Sequence, residues 1–238
     1  GDEVNGLSLY GVGSGTTIDY VEVVRGLDDA FEFFGGTVNC KHLIAYHNAD
    51  DDFDMDDGYR GKIQFAISVK DPAFTDAKGT SGDISNNFEV DNVSSSSGLP
   101  YSQTPITSPT LSNFTAIGPN NTANPDYGYG MRWRRGSQFI LANSIVMGGQ
   151  KAGLSIEDSL TVQYYKDGVS KFYNSFIHAL ANTFQVRNFT NVMDSVALRT
   201  ITTTTNYSMN FLNPADIKLT DPFNTSNATN VKPQSGSP

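Results

Sequence analysis

Phe31-Glu32-Phe33 returns 22 positions later as Phe53-Asp54-Met55, and the same apolar–polar–apolar triplet recurs along the chain. It reads Phe88-Glu89-Val90, Met131-Arg132-Trp133, Leu154-Ser155-Ile156 and Phe184-Gln185-Val186. The steps are 22, 35, 43, 23 and 30 residues, a base period near 22 with insertions of variable length. A second strand signal precedes the triplet by about ten residues: Tyr20-Val21-Glu22-Val23, His42-Leu43-Ile44-Ala45, and segments opening at Asn113, Asn143 and Asn174. One such unit cannot bury its inward side chains, whereas stacked copies bury a continuous core. The expected fold is all-β, a parallel β-helix (solenoid) of about six rungs with inserted loops. A β-sandwich also has short strands and frequent turns, but it explains neither the register nor the triplet column. Between Val169 and Phe184 the apolar residues also recur at helical spacing, with Asp167-Gly168 as a cap. The Asn174 match and the Phe184 triplet favour a rung there.

The spacing also locates the insertions. Residues 72–86, 92–108 and 118–130 are rich in Ser, Gly, Pro, Thr and Asn and read as loops projecting from the coil. The β-helix domain is expected over 1–212. Residues 213–238 hold prolines at 214, 222, 233 and 238 and read as an extended segment over the surface.

The segments LYGVGSGTTIDYVEV (9–23) and GLDDAFEFFGGTVNCKHLIAYHNADDDFDMDDGYRGKIQF (26–65), with the closing LTDPFNTSNATNVKPQSGSP, resemble a Bacteroidetes family of secreted or surface right-handed parallel β-helix proteins of unassigned function. The likeness covers 1–70 closely, 105–160 loosely and 213–238 by its ending. It implies export or lipid anchoring and a place on the outer cell surface or outside the cell. Entry directly at a rung, and the lack of a sorting segment, read as a fragment of a larger protein.

Composition narrows the function. The 238 residues carry 16 Lys+Arg against 25 Asp+Glu, a net charge of −9, which disfavours a nucleic-acid backbone as partner. No apolar run reaches the ~18 residues of a membrane helix. The opening residues have neither the basic start nor the apolar stretch of a signal peptide. A single cysteine, Cys40, excludes an internal disulfide and reads as a small core residue. His42, His47 and His178 are too scattered to suggest a metal site.

Nine of the 25 acids fall within residues 28–57. Asp28, Asp29 and Glu32 match Asp50, Asp51 and Asp54 one period on, so stacking places like charges about 5 Å apart. Exposure to water, pairing with Arg25, Arg60 or Lys62, or a bound cation would offset the repulsion. Asp50, Asp51, Asp52, Asp54, Asp56 and Asp57 are the candidate ligands, and an all-oxygen set suits calcium. The spacing is not that of an EF-hand loop. Tyr127, Tyr129, Arg132 and Arg134 form the one basic–aromatic cluster, read either as a carbohydrate-binding set or as structural, with Arg132 paired to Glu89 in the triplet column. Asn113, Asn143 and Asn174 share one register and are expected to form an inward amide ladder. Asp158-Ser159-Leu160 and Asp194-Ser195-Val196 resemble a Bacteroidetes O-glycosylation signal.

The reading is a secreted or cell-surface binding or structural module that recognises carbohydrate, or pairs with another surface protein, and binds calcium. The alternative is a polysaccharide-active enzyme, a lyase or glycoside hydrolase, using the acidic coil face. Carboxylate pairs such as Asp51 with Asp54, or Asp29 with Asp51, would supply hydrolysis, and Arg60 or Lys62 the base of a lyase. The sequence texts expected of such enzymes are absent, which favours the module.

Overall fold

The computed structural model describes residues 4–75, 84–188 and 190–238. Residues 76–83, in the first predicted insertion, lie outside the described set. The chain is a right-handed parallel β-helix. One sheet stacks β1 (Leu7–Tyr10), β3 (Phe31–Phe34), β5 (Phe53–Asp56), β7 (Phe88–Asp91), β9 (Tyr129–Arg134), β12 (Ala152–Glu157) and β15 (Asn182–Arg187) in that order. The other runs β2 (Thr17–Val24), β4 (Asn39–Tyr46), β6 (Lys62–Val69), β8 (Thr110–Ile117), β11 (Ile145–Gly149), β14 (Phe176–Ala179) and β16 (Met209–Asn210). In the later coils the long strand splits, so that β10 (Ile140–Ala142) and β13 (Lys171–Tyr173) continue the half of β8 that precedes its bend.

The triplets align residue for residue. Phe31 pairs with Phe53, Phe53 with Phe88, Phe88 with Met131, Met131 with Leu154, and Leu154 with Phe184. Leu7-Ser8-Leu9 adds a seventh strand in the same register. Its small polar centre and ordinary leucines give it no distinctive text. The pleat sends the outer members of each triplet inward, and ten of them, from Phe31 to Ile156, have no exposed surface. Their rings stack along the axis, Phe31 on Phe53 at 5.2 Å and Phe53 on Phe88 at 5.6 Å. The region after Val169 is strand, as the register argued, because Phe172, Ile177, Phe184 and Val186 each extend an existing inward column.

Each coil turns at fixed columns. Tyr20, His42, Phe65, Asn113, Asn143, Asn174 and Tyr207 all have φ between 50° and 63°, a left-handed bend that creates the corner inside the long strand. This overturns the expected inward ladder: Asn113, Asn143 and Asn174 face solvent. Asparagine occupies the column because it tolerates this conformation better than other non-glycine residues. In the first coils aromatic rings offset the strain by stacking, Tyr20 on His42 at 4.3 Å and His42 on Phe65 at 5.2 Å.

Two helices were not legible from the triplets. Helix α1 (Ser159–Lys166) leaves β12 and buries Val162 and Tyr165, and α2 (Ser195–Thr200) packs Leu198 on the last coil. Each begins at one of the two Asp-Ser texts. Asp158 accepts hydrogen bonds from the Leu160 and Thr161 amides at 3.0 Å, and Asp194 from Ala197 at 2.7 Å. Asp167 closes α1 rather than opening a helix. Both texts are therefore N-caps, with Asp in the position that satisfies free amides of the first turn.

Residues 213–238 hold two short 3₁₀ turns, Pro214–Ile217 and Ala228–Val231, linked by an antiparallel bridge from Leu219 to Pro233. Ile217, Leu219 and Val231 cover Val69, Ile117 and Met147, an outward apolar column of the second sheet. That leaves the outer face of the seven-stranded sheet as the charged one. The loops after β6 and β8 flank it on the entering side. The loop after β7 and helix α1 flank it on the leaving side.

Candidate functional site

Two outward columns cross this face. One reads Ser8, Glu32, Asp54, Glu89, Arg132, Ser155 and Gln185; the other reads Tyr10, Phe34, Asp56, Asp91, Arg134, Glu157 and Arg187. In these columns the first coils contribute acids without a cation, and the later coils contribute the arginines. The face is therefore polarised along the helix axis.

At the acidic end the six predicted ligands do not meet at one point. Asp52 turns into the corner, where it pairs with buried Lys70 at 3.1 Å and accepts from Ser68 at 2.5 Å. Asp51 belongs to a side-chain rail along the edge of the sheet. Asp29 accepts from the Asp51 amide at 2.9 Å, Asp51 from the Asn86 amide at 2.5 Å, and Asn86 from the Tyr129 amide at 2.9 Å. Asp56 accepts from the Asp91 amide at 3.1 Å, and Asp57 is an exposed left-handed turn residue. Only Asp50 and Asp54 enter close carboxylate groups. Asp28, Asp29 and Asp50 form one, and Asp29, Glu32 and Asp54 the other, each with oxygens within 4.8 Å of one another.

This crowding has an electrostatic consequence. Burial first, and then the neighbouring carboxylates, raise Asp29 and Asp54 well above the usual range. Glu32 rises to about 7, through burial and then Asp56, and Asp56 to about 6, through burial and then Asp57. Oδ1 of Asp54 is enclosed and has no hydrogen-bond partner. An all-carboxylate set with an unsatisfied oxygen fits a hard cation such as Ca²⁺. Asp28, Asp29, Glu32, Asp50 and Asp54 are the residues that would hold it. The 22-residue spacing pairs Asp28, Asp29 and Glu32 with the later acids but does not mark them as ligands.

Toward the other end the charges pair. Arg132 meets Glu89 at 3.2 Å and Glu157 at 2.9 Å; Arg134 meets Asp91 at 2.7 Å and also Glu89; Arg135 meets Asp91. The Arg132–Glu89 pair is the structural role anticipated from the shared column. Burial raises Glu157, but the Arg132 charge and hydrogen bond outweigh it and hold the carboxyl below its ordinary value. Tyr127 is 1% exposed and donates to the carbonyls of Asp71 and, at 2.7 Å, Phe74. Its ring has no face to offer a sugar: Tyr127 anchors a loop. Tyr129 is also enclosed, but its hydroxyl accepts from Arg187 at 2.9 Å at the edge of an open groove.

That groove holds about 600 Å³ and is lined by Tyr129, Gln150, Lys151, Asn182, Gln185 and Arg187, among others. Of the four residues expected to bind carbohydrate, it takes in Tyr129 alone. Gln185 and Arg187 were visible in principle, because the last triplet places them in the columns of Arg132 and Arg134. Lys151 sits in a turn outside the periodic positions, so no spacing rule reached it.

Comparison with known proteins bears on this arrangement in one way. The family model described as a pectate-lyase-like β-helix domain matches residues 1–215. A search of curated proteins and a search of solved structures returned no match.

Proposed function

The chain belongs to the pectate-lyase-like β-helix domain family, and on that premise we propose that it is a secreted or cell-surface module that binds carbohydrate on the outer face of its seven-stranded sheet. The observation that supports the reading is the open groove beside Tyr129. It joins an aromatic edge, amide side chains and cations over about 600 Å³, the mixture that fixes a hydroxylated ring in place. The acidic coils serve a second purpose in this proposal: Asp28, Asp29, Glu32, Asp50 and Asp54 hold Ca²⁺, which offsets their mutual repulsion. Such domains are often extracellular, and no helix among the described residues is long and apolar enough to cross a membrane.

One observation favours an enzyme as the second reading. Glu32, raised to about 7, is protonated near neutrality beside Asp54, as a general acid in glycoside cleavage must be. The purified chain should be retained on one or more polysaccharides of an immobilised panel. Retention without new reducing ends or unsaturated product establishes the module. Product that disappears in Glu32→Gln establishes the enzyme, and no retention on any polysaccharide removes the carbohydrate proposal.

A further inference from the structure

Lys70 and Asp52 meet at the corner where one coil closes. Asp52 stands just before β5 and Lys70 just after β6; both side chains are buried, with Nζ 3.1 Å from Oδ1. The pair is confined to this coil. Its two columns hold Ala30 and His47 in the coil before, and Asn87 and Gly118 in the coil after. A buried ion pair is stable only when its remaining protons and lone pairs are satisfied. Here they are not. Oδ2 accepts from the Ser68 hydroxyl at 2.5 Å, but Oδ1 is enclosed and has no hydrogen-bond partner, although Nζ is in contact with it. Nζ donates to the Asp50 carbonyl, its one hydrogen bond among the described residues. An ammonium has three protons to place. The surroundings thus provide for one N–H and one oxygen, the complement of a secondary amide. The cavity lined by Lys70, Ser85, Asn86 and Asn87, among others, is too narrow for a water molecule, so solvent does not supply the missing partners. Burial raises the Asp52 carboxyl above its ordinary value in spite of the Lys70 charge, the sense that favours a neutral acid beside a neutral amine.

We propose that Lys70 and Asp52 are joined by an intramolecular amide bond, a cross-link the chain makes by itself, which closes residues 52–70 into a covalent ring. Nζ passes one proton to Oδ1, and the electron pair it frees attacks Cγ to form the C–N bond. The Cγ–Oδ1 bond then breaks, and Oδ1 leaves as water with a second proton from the same nitrogen. Nothing is oxidised or reduced, and no co-reactant is needed. The fold holds the two groups in contact, which removes the entropic cost of their encounter. Each remaining group then has a partner. Oδ2, now the amide oxygen, keeps the Ser68 hydroxyl, and the single N–H keeps the Asp50 carbonyl. The unpartnered oxygen is the one that departs. The neighbouring amide of Asn87 is not the electrophile, because its Nδ2 already donates to Ser68 and to the Ile117 carbonyl at 2.7 and 3.3 Å. The place of the bond in the coil gives it a purpose. Between His47 and Asp52 the chain steps directly to the next coil, but residues 71–86 separate Lys70 from Asn87. The amide closes the coil at the corner where the chain leaves it.

Mass spectrometry of the whole chain, purified folded and then denatured, tests this directly. The intact mass should lie about 18 Da, one water, below that of the sequence. Trypsin should then release 42–60 and 63–78 as one joined species, uncut after Lys70. Ring closure to a succinimide at Asp57-Gly58 or Asp167-Gly168 loses the same mass. It is reversed by mild base and joins no two peptides, so the joined species separates the two cases. Lys70→Arg keeps the positive charge without the amine that forms the amide, and should show the full sequence mass. A parent at its full sequence mass overturns the proposal, as does a lighter parent that yields no joined peptides. A Lys70→Arg variant that still loses water overturns it as well. The parent decides the question without any variant, so a variant that fails to fold leaves the result standing.

Discussion

Glu32 stands one position from Phe31 and Phe33 and yet shares none of their environment. The two rings face the core, while the carboxyl faces the other acids of the acidic coils, Asp29 and Asp54 among them. Its pKa, raised from 4.5 to about 7, makes a statement about stability. Between those values the native chain binds the proton more tightly than the unfolded chain. The contribution of Glu32 is therefore fully present below about 4.5 and is lost as pH rises through about 7. Asp56 acts in the same direction from 3.8 to about 6, and Glu157, held low by its arginines, acts oppositely in acid. The unfolding midpoint of the parent, measured relative to Glu32→Gln, should thus fall between about pH 4.5 and pH 7. Millimolar Ca²⁺ should shrink that fall, because a cation that binds only the native carboxylates replaces the proton. A parent-to-variant difference that is flat with pH would remove the electrostatic account. A fall unchanged by Ca²⁺ would remove the metal.

At the scale of single elements, the strands follow from alternation and the helices from their caps. Asp158 itself occupies a left-handed position, φ 64°, in the column that turns each coil out of the seven-stranded sheet. It bends the chain and then receives the first amides of α1, besides the Thr161 hydroxyl at 3.0 Å. Asp158→Ala should cost about 1–2 kcal/mol, from the lost cap and from a left-handed alanine. Asp158→Asn should recover most of it, since Asn both caps and tolerates the bend. Equal unfolding midpoints for the alanine and asparagine variants would contradict the capping role. The same reasoning explains why the helices escaped the periodic reading. The triplet register continues on both sides of α1, from Leu154 to Phe184, so the helix occupies an insertion and leaves no mark on the period.

For the whole molecule, each coil contacts its neighbours, so stability is close to a sum over adjacent pairs. The segment 213–238 departs from this, because Ile217, Leu219 and Val231 cover a column contributed by three coils, through Val69, Ile117 and Met147. Tyr46, from a fourth, donates its hydroxyl to the Thr225 carbonyl. Removing 213–238 should lower stability by on the order of 5 kcal/mol, from the apolar surface it uncovers, while the far-ultraviolet β signal persists. An unchanged unfolding midpoint would mean that the segment rests on the coils without holding them.

The parallel β-helix, its register and its inward columns were determined by the sequence alone. The physical reason is local: a side chain one pleat from Phe53 must face away from it, and coils of equal length bring equal positions together. Insertions of 13 and 21 residues beyond the base period of 22 did not disturb this, because they leave the coil at a corner and return to it. The outward side of the same triplets was legible too, which is why Arg132 could be placed above Glu89. What only the tertiary structure decided lies off the period. Turn residues have no fixed direction, so the six aspartates of the second coil were scattered among a buried lysine pair, a side-chain rail, a turn and two carboxylate groups. Tyr127 and Lys151 lie in or beside loops whose lengths vary, and loop closure set one as an anchor and the other beside Arg187. The balance of charge was also tertiary. One glutamate shared by two arginines joins residues 25 and 30 positions apart, and only their stacking shows that the sum is positive.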